Sequence, residues 1–171
     1  MIDVILGILK RCWIILTAPA ADPTMLWEVI PLVVTMFLME IYFGKHKEEQ
    51  LGWNTAFSNA LVLLFVGTNL LRVLYIKNQL LLNLKLIVII AMMVLGLLLA
   101  FLDFYQLIPR FIAFEISSKL PLNYLAYIII VYIHTDLPLN LITLATIILL
   151  FIILVLIMKI IQIEEKPIRR R

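Results

Sequence analysis

The chain has 171 residues, of which 64% are hydrophobic and only 15% charged. A soluble fold of this length cannot hide that much apolar surface, because small domains leave a large share of themselves at the boundary, so lipid must be the solvent for most of the chain. The net charge of +3 is small and its basic residues stand beside apolar segments or in the tail. That pattern suits anionic lipid head groups and argues against nucleic acid as a partner.

Residues 2–17 open the chain. On a helical wheel Asp3, Gly7, Lys10 and Arg11 fall on one side, while Ile2, Ile5, Leu6, Leu9, Trp13 and Leu16 cover most of the rest. Such a pattern predicts an amphipathic helix lying in the membrane interface, within a first segment at 1–21. The run "TAPAAD" at 17–22 resembles a signal-peptide cleavage site. However, Lys10 and Arg11 interrupt the apolar stretch that a secretory signal needs, so retention is expected. Cys12, the only cysteine, excludes an intramolecular disulfide and any multi-cysteine metal cluster. It reads as a small apolar side chain.

A transmembrane helix bundle is predicted over 22–163. Asp22-Pro23 makes a good cap and first-turn pair for a first span running from about Met25 to Phe43. Glu28 and Glu40 sit near its two ends. The short charged connection "GKHKEEQLG" then returns the chain antiparallel. The second span, Leu51 to Ile76, holds "GWNTAFSNALVLLFVGTNLLR", and "KNQ" at 77–79 reads as a tight turn. A third span occupies 80–102, with Asp103 marking its exit.

Segment 111–136 is less regular. Its apolar part is short for a crossing unless the turn bearing Glu115 and Lys119 is included, which predicts an i,i+4 ion pair and a kink at Pro121. The last span, "LPLNLITLATIILLFIILVLIMKII", is the most apolar. It leads to a basic tail at 164–171 whose Lys166, Arg169, Arg170 and Arg171 argue for a cytoplasmic C-terminus. "LPLN" occurs at 120–123 and again at 137–140, and chance repetition in an Ile/Leu-rich chain accounts for it. The fold expected is thus an all-α polytopic bundle of about five spans, four being the alternative, plus the interfacial helix. Five spans put nine Lys and Arg inside against five outside, and four spans put ten against four, so charge does not separate them. Five is preferred because "LNYLAYIIIVYI" is too apolar for a surface.

The polar residues of the second span line a solute path or join helices. Asn54, Thr55, Ser58 and Asn59 gather toward one end and Thr68, Asn69 and Arg72 toward the other, with "ALVLLFVG" apolar between them. No span carries an ionisable residue near its midpoint, where a substrate or proton site normally places one. By direction, Thr55, Ala56, Asn59, Ala60 and Gly67 share one broad face. Gly96 and Ala100, four apart in the third span, offer a small-residue match. The face is therefore predicted to pack helices. Glu28, Glu40, Asn69 and Arg72 are the candidates for ion pairs or, in the rival reading, a polar path. Arg72 is expected to snorkel to head groups.

Catalysis has little support. His134 and Asp136 stand in an "HTD" trio and His46 lies beside two acids, but in the five-span arrangement the histidines fall on opposite membrane faces. HExxH, GxSxG, GxGxxG and P-loop motifs are absent. No cofactor or metal is expected. The sequence points to a non-enzymatic structural or interaction subunit of a cell-membrane assembly, partnered by lipid and by copies of itself or other membrane subunits. The alternative is a small channel or transporter subunit with its path formed between subunits.

Overall fold

The computed structural model describes residues 2–46, 52–80 and 82–164, and every regular element among them is helical. Seven α-helices follow in order: α1 (Ile2–Ala21), α2 (Leu26–Lys45), α3 (Trp53–Ile76), α4 (Leu84–Phe104), α5 (Arg110–Ile116), α6 (Lys119–His134) and α7 (Leu141–Glu164). Six stretches are long and apolar enough to cross a membrane: the five expected spans and, by length and composition, α1 as well. The basic tail beyond Glu164 and the 47–51 connection lie outside the described residues. The chain divides into two compact units, 1–47 with 130–171, and 48–129.

In the first unit α1 and α2 both pack on α7. Asp22 caps a 3-10 turn, Pro23–Met25, which feeds α2. Its carboxylate accepts the Thr24 backbone N–H at 3.1 Å and the Thr24 hydroxyl at 2.6 Å. Proline fits this first turn because its missing N–H would have no helical partner there. Asn140 caps α7 in the same way, accepting the Thr143 N–H at 3.1 Å.

Two contacts constrain the helix directions. Gly7 faces Ile142 near the start of α7, and Glu40 of α2 meets Gln162 near its end. From residue 142 to 162 is about 30 Å along a helix at 1.5 Å per residue. An antiparallel α1–α2 hairpin standing along α7 would gain almost no net height between residues 7 and 40. Two helices rising in series would gain about 50 Å. At least one of α1 and α2 must therefore cross α7 steeply.

In the second unit α3 and α4 run antiparallel. Gly67 faces Met93, Gly96 faces Ala60 and Leu63, and Phe57 meets Phe104 at 5.8 Å between ring centroids. The "KNQ" turn forms as expected. Asn78 takes φ 53°, and the Asn78 and Gln79 N–H groups return to the Tyr75 and Leu74 carbonyls, a Schellman closure. Gln106 at φ 54° ends α4 by the same device. Asn83 starts α4 by accepting the Leu86 N–H at 2.9 Å.

Segment 110–134 departs from expectation in two respects. The helix does not kink at Pro121; it breaks at Ser117–Ser118, between α5 and α6. Pro121 then sits in the first turn of α6, where its lost N–H costs nothing. The break also separates Glu115 from Lys119, and the ion pair expected between them is not made. Downstream, Ile128–Ile133 are six consecutive buried residues, as an all-round apolar helix requires. The two "LPLN" copies differ in form, the first lying inside α6 and the second in the loop before α7.

Candidate functional site

Of the residues assigned to helix packing, Ala56, Asn59, Ala60 and Gly67 are buried on α3, and Thr55 is half-buried. Gly96 and Ala100 are buried on α4. A Cβ on Gly96 would lie 2.9 Å from the Leu63 Cβ and 3.1 Å from the Ala60 carbonyl oxygen, both atoms fixed by the helix. A Cβ on Gly67 would collide with the side chain of Met93. Close approach at the Gly96 level thus depends on a small residue, the usual means by which helices meet in lipid. Leu63 and Val66 fill the middle of the same face.

Asn59 does not bond across to α4. Its Nδ2 donates to the Ser117 carbonyl at 2.8 Å, at the break between α5 and α6. Ser117 in turn donates its hydroxyl to Asp103 Oδ2 at 2.7 Å. All three residues are buried, at 1%, 0% and 1% exposure for Asn59, Ser117 and Asp103. The second Asp103 oxygen, Oδ1, is buried with no hydrogen-bond partner. Asp103 therefore does not mark an exit to solvent; it is drawn inward by Ser117. Close by, Trp53 of α3 packs edge-on against Phe114 of α5 at 5.1 Å.

Of the four candidates for ion pairs or a path, Glu28 and Glu40 belong to the first unit and Asn69 and Arg72 to the second. Glu40 accepts the Gln162 amide at 2.6 Å, joining α2 to α7 in the first unit. Glu28 and Asn69 are half-buried and partnered, and Arg72 is exposed. His134 pairs with Asp22, not with Asp136. Its Nδ1 lies 2.8 Å from Asp22 Oδ2, while the imidazole is 2% exposed and Nε2 has no partner. The Thr24 hydroxyl and then His134 hold the Asp22 carboxyl down to about 2, against the opposing effect of burial. Among the described residues no three His, Cys, Asp or Glu side chains come together.

Sequence reasoning missed the Asn59–Ser117–Asp103 chain and the Asp22–His134 pair. The first had a signal, a Ser-Ser dipeptide inside a stretch that otherwise reads as a span. The second joins residues 112 positions apart and had none. Compared with models of known protein families, with curated proteins and with solved structures, the chain finds no match.

Proposed function

We propose that this protein is a non-catalytic structural or interaction subunit of a membrane assembly, embedded as a multi-pass helical protein with a cytoplasmic C-terminus. One observation carries the reading: a buried amide of α3 and a carboxylate of α2 bond to other elements, while Ser58, Thr68 and Thr35 return to carbonyls of their own helices. Asn59 is bound to the Ser117 carbonyl and Glu40 to Gln162, near helix ends and away from the apolar centres. Polar groups used this way orient a bundle, each contact contributing about 0.6 kcal/mol on average.

The exposed apolar side chains Ile5, Leu6, Leu9, Trp13 and Leu16 of α1 suit a helix resting in the interface among anionic head groups. α1 is then the helix that crosses α7 steeply.

The runner-up is a small channel or transporter subunit, favoured by the buried Asp103 carboxylate beside a broken span. Purification from the native membrane in mild detergent, followed by identification of co-purifying chains, decides between them. A large stable complex supports the subunit. A homo-oligomer that conducts ions when reconstituted supports the channel.

A further inference from the structure

We propose that Asp103, Ser117 and Asn59 form a binding site for one small monovalent cation of the sodium class. Asp103 is 1% exposed, and no described Lys, Arg or His lies within ion-pair distance of it. A carboxylate taken out of water without an ion-pair partner is costly unless a cation or a proton neutralises it. Oδ1 supplies the point of attachment, since it is buried and accepts no hydrogen bond.

Neutral oxygens complete the set. Ser117 Oγ lies 2.7 Å from the other carboxylate oxygen, and its lone pairs remain available because it acts there as a donor. Asn59 uses its Nδ2 on the Ser117 carbonyl, which leaves its Oδ1 as an acceptor. The backbone adds to this. Asp103 stands in the last turn of α4 and Ser117 caps the C-terminal end of α5, and helix C-termini carry negative potential. A buried acid beside a broken span is a setting in which helical membrane proteins hold Na⁺. A single carboxylate is too little for Ca²⁺ or Mg²⁺, whose sites gather several charged oxygens or retain water, whereas one monovalent ion neutralises the site.

The inference is independent of the subunit reading: a cation here clamps the α5–α6 break in a structural subunit as well as in a transporter. The test uses full-length protein in detergent, with Trp13→Phe and Trp27→Phe leaving Trp53 as the reporter near Phe114. Melting is followed at fixed pH and ionic strength in NaCl, KCl or choline chloride. Na⁺ is expected to raise Tm saturably over choline, by about 5–10 °C at a hundredfold excess over Kd, and to shift Trp53 fluorescence with the same midpoint. Asp103→Asn should lose both responses, and Ser117→Ala, the second variant if Asp103→Asn fails to fold, should weaken the midpoint about tenfold. Identical melting of the parent protein in all three salts overturns the site. So does stabilisation in choline that follows pH alone, which would assign a proton, or an undiminished Na⁺ response in Asp103→Asn.

Discussion

Gly96→Ala should loosen the α3–α4 pair, and the neighbouring geometry sets the magnitude. The added methyl meets the Leu63 Cβ at 2.9 Å and the Ala60 carbonyl oxygen at 3.1 Å. Neither atom can rotate away, so the two helices must separate or slide. Overpacking of this kind costs about 1–3 kcal/mol. Against it, Ala is a better helix former than Gly by roughly 1 kcal/mol. A net destabilisation of up to about 2 kcal/mol remains, about 1 kcal/mol at the centre of the range. Gly67→Ala is the control. Its methyl would strike only the Met93 side chain, which is half-buried and unbranched and can swing aside. The propensity gain should then offset the clash, leaving stability near that of the parent. Equilibrium unfolding in mixed micelles, with SDS fraction as the denaturing variable, measures both. Adding Leu63→Ala should not rescue Gly96→Ala, because alanine keeps the Cβ responsible for the contact. The reasoning fails if Gly96→Ala matches the parent in stability, or if Leu63→Ala restores it.

Three further outcomes follow from the same structure. Asp22 has its pKa lowered from 3.8 to about 2, so its charged-state contribution is complete above about pH 4 and disappears as pH falls through about 2. Asp22→Asn should remove this acid-limb dependence while keeping the turn cap; Asp22→Ala should also lose the cap, at about 0.5–2 kcal/mol, both read by pH-dependent unfolding. Single-cysteine variants in a Cys12→Ser background should label His46 and Arg170 from one side of the membrane and Thr135 from the other; labelling of Thr135 and Arg170 from the same side contradicts five spans. A peptide of residues 1–18 should be disordered in water and helical on anionic vesicles, with binding that weakens as salt rises. Equal helicity without lipid removes the interfacial assignment.

The helical class and most element boundaries were legible in the sequence because lipid imposes a simple rule: backbone polar groups must be satisfied within each helix. Long apolar runs bounded by Asp22-Pro23 and "KNQ" therefore become helices with little ambiguity, whereas the last helix starts at Leu141, after the "LPLN" included in its expected span. The small-residue face of α3 was legible for a similar reason, since Ala56, Asn59, Ala60 and Gly67 repeat at helical spacing. What Asn59 bonds to was not. Its partner is a backbone carbonyl exposed by a break at Ser117, and helical periodicity carries no sign of such a break. Pro121 drew the expected irregularity four residues too far along, because proline is tolerated in a first turn while Ser117 is the residue that leaves the helix. Asp103 was misplaced by its position at the end of an apolar run, where a charge ordinarily meets water. The Asp22–His134 contact was invisible because it joins residues 112 positions apart and nothing local marks it.

The central claim is that the polar side chains of α3 join helices and line no path, and one paired measurement addresses it. Asn59→Leu removes the bond to the Ser117 carbonyl and should cost about 0.6 kcal/mol, up to about 2. Ala60→Leu, at a fully buried position facing Gly96, should cost at least as much. Detergent-resistant assembly and ion flux in liposomes are to be measured on the same two variants. The account predicts weakened assembly with no selective loss of any flux present in the parent. A tenfold fall in flux with assembly intact would contradict it.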